Sequence, residues 1–207
     1  MNVILASGSP RRRQLLHDAG VAFSVEPSDA DESLDDDLRA NPAKAARAVA
    51  ERKAASVVQR LIGGEPVPGR TCVIGADTMV VLDGAIFGKP HTYSEGVGML
   101  RKLSGRTHEV ITGVSVWMVD VDDEGKVSLG RQGFSETSEV TFKCLSDDDV
   151  AAYLRKGESY DKAGAYAIQG AGADLVERYE GDYANIVGLP VDTLLALFPD
   201  LKGQASE

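Results

Sequence analysis

Near its start the chain reads Ser7-Gly8-Ser9-Pro10-Arg11-Arg12-Arg13, directly after the short apolar run Val3–Ala6. Pro10 is placed to open a helix, with Ser9 as its N-cap. The three arginines then fall in the first turn, where the helix dipole favours anions over cations. Cations are accounted for there if an anion is held beside them. Exposed backbone N–H groups, two hydroxyls and guanidinium forks suit a phosphate. A capped surface helix with solvated arginines fits the same residues. Helical geometry turns Arg13 away from Arg11 and Arg12 by about 100° per residue, so Arg13 is expected in solvent.

Asp77 lies inside the apolar run Cys72-Val73-Ile74-Gly75-Ala76-Asp77-Thr78-Met79-Val80-Val81-Leu82. A carboxylate in such a run is costly to bury unless a cation or a metal pairs with it. It reads as a metal ligand or general base, or as a strand aspartate tied to a backbone group or a lysine; Gly75 hints at a close backbone approach. Lys53 falls on the apolar stripe of a helix, pointing either into a cleft or past the core to solvent. Lys89, in Phe87-Gly88-Lys89-Pro90, sits on a rigid turn that suits a phosphate, and an ordinary surface lysine fits equally. Gln169, in the Gly/Ala-rich segment Asp161–Gly170, offers a donor and an acceptor from one planar amide, fit for a base edge or for capping a turn. Glu32 belongs to the acidic stretch Asp29–Asp37, either as a metal ligand or as part of a solvated loop.

These residues need elements to place them. Val3–Ala6 is read as a strand, the segment from Pro10 as a helix closed by Gly20, and Phe23–Glu26 as a second strand. A long helix runs from Asn41-Pro42 to about Ile62, with Ala46, Val49, Ala50, Val57 and Leu61 as its stripe. A Gly/Pro loop at Gly63–Arg70 leads to a strand over Thr71–Leu82. Asp83-Gly84 is a hairpin turn returning through Ala85–Gly88. A helix over Tyr93–Leu103, a long strand over His108–Val119 and strands through Leu145 follow. Ser146 and Asp149 form a capping pair for a helix to Arg155. Leu175–Tyr179 reads as a strand, Leu189–Phe198 as a last helix, and 199–207 as a frayed tail. Strands alternate with helices but hairpins are present, so the sheet is expected to be mixed.

The 207 residues suit one domain. Lys and Arg total 22 against 32 Asp and Glu, a net charge of −10, which argues against a nucleic-acid or anionic membrane surface. The two cysteines, Cys72 and Cys144, are far apart in apolar runs, where buried free thiols are expected. No zinc spacing, no leader and no membrane-length apolar run is present, so a soluble cytoplasmic protein is expected. Phosphate loops of the G-x-x-x-x-G-K-[ST] type, dinucleotide G-x-G-x-x-G turns and G-x-S-x-G elbows are absent. A nucleotide site here must use another architecture.

Taken together, Ser7-Gly8-Ser9-Pro10-Arg11-Arg12, Glu51-Arg52-Lys53-Ala54, Gly75-Ala76-Asp77-Thr78, Gly88-Lys89-Pro90, Leu103-Ser104-Gly105-Arg106-Thr107-His108, Asp161-Lys162-Ala163-Gly164-Ala165-Tyr166, Ile168-Gln169-Gly170 and Asn185-Ile186-Val187-Gly188-Leu189-Pro190 resemble, in order, the Maf family of nucleoside triphosphate pyrophosphatases. The resemblance implies an α/β fold: an elongated mixed β-sheet flanked by helices, in two lobes with a central cleft, similar to inosine triphosphate pyrophosphatases. It implies hydrolysis of a nucleoside triphosphate to monophosphate and pyrophosphate with Mg²⁺ or Mn²⁺. It makes Asp77 the proton acceptor and metal ligand, joined by Glu32 on the metal. Ser9, Arg12, Lys53 and Lys89 become substrate-binding residues, and Arg11, Thr78 and Gln169 specificity residues of the dTTP/UTP subgroup. It also brings a homodimer and a link to arrest of septum formation. Glu32 matches only loosely, and Arg13 has no counterpart.

Physically, cleavage between the α- and β-phosphates needs the leaving pyrophosphate neutralised and a water aimed at the α-phosphorus. Arg12, Lys53, Lys89 and the metal serve the first, Asp77 the second. The competing class is a regulatory protein that binds a nucleotide or a division partner without turnover; a triphosphate panel with product identification separates the two.

Overall fold

A computed structural model describes residues 1–65 and 67–202. Its centre is three very long strands in sequence: β3 (Gly69–Leu82), β5 (Thr107–Val121) and β6 (Val127–Phe142). β5 pairs antiparallel with β3 on one side and with β6 on the other. The sheet has seven strands. β1 (Asn2–Leu5) lies parallel between β2 (Ser24–Val25) and β3, β7 (Val176–Glu180) closes the far edge on β6, and β4 (Ala85–Phe87) folds back on β3. The sheet is therefore mixed and elongated, as expected.

The helices are α1 (Pro10–Asp18), α2 (Asp36–Arg39), α3 (Pro42–Gly63), α4 (Tyr93–Leu103), α5 (Asp147–Leu154), α6 (Tyr183–Val187) and α7 (Val191–Leu197). Ser9 caps α1 and Pro10 opens it, with no acid in its first turn. Ser146 and Asp149 form the reciprocal capping box of α5.

Alternation along β3 decides what each face does. Cys72, Ile74 and Ala76 face one core with β1 and α7, and Val80 and Leu82 face another with α4 and α5. Val73, Met79 and Val81 face the side covered by α3. The long helix crosses that face at two glycines. A Cβ on Gly75 would lie 2.3 Å from the Ala50 carbonyl oxygen, and one on Gly113 would lie 2.3 Å from the Ala46 carbonyl carbon. The close approach that Gly75 hinted at is thus an approach of the chain's own helix.

Three expectations need correction, and one motif without an expected element proves helical. Cys72 is buried but Cys144 is exposed, because β6 ends at Phe142 and leaves the cysteine in the turn before α5. The acidic stretch is not wholly a loop, since Asp35 caps α2 and brings Asp36 and Asp37 to its first turn. Asn185 and Ile186, read only as a motif, lie in the short helix α6. The segment Pro199–Lys202 is a 3₁₀ turn that buries Leu201 against the α7 core, so it is not frayed; residues 203–207 lie outside the described residues.

Candidate active site

β1 and β4 lie along the same edge of β3. β1 pairs with it as far as Ile74, extended by a bond from the Ala6 amide to the Ile74 carbonyl, and β4 pairs with it from Val80. Residues 75–79 of β3 therefore have no strand beside them on that edge. Asp77 and Thr78 fall in this gap, which separates the α7-side core from the α4/α5-side core. A cavity of about 330 Å³ opens there. Ser9, Arg11, Arg12, Glu32, Lys53, Asp77, Thr78, Lys89 and Gln169 all line it. Every site residue expected from the sequence is in one place, delivered by α1, the acidic segment, α3, β3, the turn after β4 and the Gly/Ala-rich segment.

On the α3 side, charges alternate. Lys53 Nζ donates to Asp77 Oδ1 at 2.8 Å and lies 2.9 Å from Glu32 Oε1. Lys89 Nζ stands 3.9 Å from the other Glu32 oxygen. Lys53 and Asp77 are largely buried, with side chains only 11% and 14% exposed, while Lys89 is open. The helical stripe of α3 did carry Lys53 into a cleft rather than past it. Partial burial works against the Glu32 charge, but the hydrogen bond from Lys53 and the charges of Lys53, Lys89 and Arg12 outweigh it and hold the carboxyl below its ordinary value.

Arg12 sits on the other side of the gap. Its Nε donates to the Gly188 carbonyl at 2.8 Å, Nη1 to Ser7 Oγ at 3.2 Å and Nη2 to Thr78 Oγ1 at 3.0 Å. Burial lowers the guanidinium from its ordinary value, with Asp77 opposing, and arginine stays charged regardless. Gly188 has φ 132°, and a Cβ there would meet Thr78 Oγ1 at 3.3 Å and Arg12 Nε at 3.6 Å. Both the conformation and the space require glycine. Arg13 is exposed, as expected from helical geometry.

The rim carries Arg11 and Gln169. The Gln169 side chain caps nothing in the 3₁₀ turn that follows it, so the capping alternative is not realised and the amide is available to a ligand. Ser7, counted in the sequence only as one of two hydroxyls at the turn, lines the cavity, and so do Ser28, Asp161, Lys162 and Tyr166, to which the sequence assigned no role. Lys162 is bonded to Asp161 at 2.6 Å. The Tyr166 hydroxyl meets His108 Nε2 at 2.7 Å, and both rings pack edge-on to Phe142. Ser7 Oγ accepts from both the Ser9 amide and Arg12. The doubled serine of the opening motif was the signal for Ser7; for Lys162 and Tyr166, the residues stood in a quoted motif without a role.

Among the described residues no group of three or more His, Cys, Asp or Glu side chains could hold a metal ion by itself. Two carboxylates, Asp77 and Glu32, nevertheless converge on one ammonium group. Hard oxygen donors of this number fit an ion that completes its shell with water and phosphate oxygens, which is the habit of Mg²⁺.

The Maf-like protein family matches this chain over residues 2–201. A protein of Bacillus velezensis named dTTP/UTP pyrophosphatase is 44% identical over 91% of this chain and 90% of its own length. Proteins with the same name from Moorella thermoacetica and Clostridioides difficile are 45% and 44% identical, over 95% and 94% of this chain and 94% and 92% of theirs. A solved structure from Mycobacterium abscessus, titled nucleoside-triphosphatase / dITP/XTP pyrophosphatase, aligns over 97% of this chain and all of its own at 13% identity and a TM-score of 0.42, a likeness too loose to bear on the site.

Proposed function

The chain belongs to the Maf-like protein family, and on that footing we propose that it hydrolyses nucleoside triphosphates, dTTP and UTP first among them, to the monophosphate and pyrophosphate. The observation that carries this reading is the convergence of all the expected site residues on the single gap in β3. The names of its relatives support the reaction and the pyrimidine substrates.

The triphosphate lies between the α1 turn and the Lys53–Lys89 wall. Arg12 has spent three of its five N–H groups on Gly188, Ser7 and Thr78 and keeps one on each terminal nitrogen for phosphate oxygens. Ser7 has an unspent hydroxyl proton, and the Ser9 hydroxyl joins it at the same turn. Lys53 and Lys89 meet the charge that develops on the leaving pyrophosphate. Asp77 accepts the proton of the attacking water, a role worth about 10²–10⁴ in rate. Arg11 and Gln169 read the nucleoside from the rim. Asp77 and Glu32 would hold Mg²⁺ or Mn²⁺, and the ion when bound supplies Lewis-acid neutralisation of the phosphates and a more acidic water. The Lys53 ammonium bridges the two carboxylates and holds them in register for it.

No helix among the described residues is long and apolar enough to cross a membrane. We place the enzyme in the cytoplasm, as one two-lobed domain acting on the free nucleotide pool. The test is a panel of canonical and modified triphosphates with Mg²⁺ or Mn²⁺ and identification of the products. Monophosphate with pyrophosphate supports the reading. Diphosphate with phosphate, or binding without turnover, overturns it.

A further inference from the structure

Thr78 of β3 stands directly across from Thr112 of β5, and their hydroxyls are 2.9 Å apart. Thr112 Oγ1 also lies 2.9 Å from the backbone carbonyl of Asn185. A carbonyl only accepts, so Thr112 must spend its single proton there. Thr78 must then donate to Thr112. Arg12 Nη2 donates to Thr78 in turn. Every proton in the run is assigned, and it has one direction: Arg12 to Thr78 to Thr112 to Asn185.

The far end of the run is fixed. Asn185 is fully buried. Its side-chain oxygen accepts from the Thr112 amide, and its side-chain nitrogen donates to the Val110 carbonyl and to Ser138 Oγ. Those bonds pin α6 to β5 and β6. The turn after α6 presents the Gly188 carbonyl that takes Arg12 Nε. Both the Nε and the Nη2 side of the guanidinium are thus referred to the same buried residue.

We infer that Thr112 and Asn185 are positioning residues that orient Arg12 toward the cavity, and that Thr78 can meet a ligand only as a hydrogen-bond acceptor. The inference rests on the proposed triphosphate site and deepens it: Thr78 adjoins a water, hydroxyl or N–H of the substrate, and it acts on selectivity chiefly by aiming Arg12. Thr112→Val removes the hydroxyl while keeping the shape. Thr112→Ser keeps the hydroxyl. Thr78→Val breaks the run one link nearer to Arg12 and leaves the Thr112–Asn185 bonds intact, so the test survives if Thr112→Val does not fold.

The first readout is independent of turnover. Hydrogen exchange of the Arg12 Nη2 protons, one of which donates to Thr78, is followed by ¹⁵N NMR, with their signal identified by its loss in Arg12→Lys. Thr112→Val and Thr78→Val speed the exchange about fivefold or more, the change implied by one lost hydrogen bond of ordinary net strength, while Thr112→Ser stays near wild type. The second readout is kinetics with UTP and dTTP: the two valine variants lose about tenfold in kcat/KM, carried mainly by KM, and the serine variant does not. Unchanged exchange in both valine variants, or equal damage from Thr112→Ser, overturns the inference. Exchange that responds in a protein whose wild type releases no pyrophosphate upholds the positioning and overturns the proposed reaction instead.

Discussion

Acid destabilises this protein through His108. The imidazole is 2% exposed on β5, with Nε2 bonded to Tyr166 and Nδ1 buried without a partner among the described residues. Burial lowers its pKa from 6.5 to about 4, and the imidazolium would carry an N–H on both ring nitrogens where only Nε2 has a partner. Below pH 6.5 the unfolded chain takes up a proton that the folded chain refuses, so stability falls as pH drops from 6.5 toward 4. At about 1.36 kcal/mol per pKa unit the whole effect is about 3 kcal/mol, and roughly 2 kcal/mol of it is lost between pH 7 and pH 5. His108→Gln retains a polar partner for Tyr166 and does not titrate. Urea unfolding at both pH values, followed by circular dichroism, gives the stability of each protein. The wild type should lose about 2 kcal/mol more than the variant on going from pH 7 to pH 5. His17 and His91 are exposed and common to both proteins, so they cancel in the comparison. A wild-type-to-variant difference that does not change with pH refutes the claim that His108 is held neutral.

Other consequences follow from the same packing and charges. Lys53→Met removes the ammonium between Asp77 and Glu32 and leaves only the more distant Lys89 and Arg12 to offset them; it should cost about 3 kcal/mol, near the low end for a broken buried pair because Glu32 is half-exposed, and lower turnover by about 10²-fold or more, read by urea unfolding and pyrophosphate release. Gly113→Ala drives a methyl group into the α3 backbone and should destabilise by about 3 kcal/mol, whereas Gly98→Ala, on the open face of α4, should stabilise by about 1 kcal/mol. A thiol reagent should label only Cys144 in the native protein and both cysteines in denaturant, since Cys72 is buried with its pKa pushed up to about 12.

The elements with strong local signals were legible in the sequence. Pro10 behind Ser9, the Asp83-Gly84 turn and the Ser146–Asp149 box each state their own local geometry. The long strands were legible as apolar runs, although their ends were not, because the pairing of β5 with β6 extends both beyond their apolar parts. Lys53 was readable as a stripe residue, but the side on which it emerged depended on Asp77 lying beneath α3, a tertiary fact. The glycines were the least legible. Gly75 reads the same whether a ligand or a helix comes close, and only the crossing of α3 decides it. The gap in β3 that holds the site was invisible for a related reason: it exists because β1 stops at Leu5 and β4 stops at Phe87, and neither end is coded within β3. The direction of the Thr78–Thr112–Asn185 run likewise needed residues from three separated segments.

The most direct test of the account is where water attacks. Turnover of UTP or dTTP in ¹⁸O-labelled water with Mg²⁺, followed by mass spectrometry of both products, reports the phosphorus that receives the oxygen. The site described here predicts label in the nucleoside monophosphate, none in the pyrophosphate, and turnover abolished by EDTA and by Asp77→Asn. Label in the pyrophosphate or in free phosphate, or full turnover by Asp77→Asn, would contradict it.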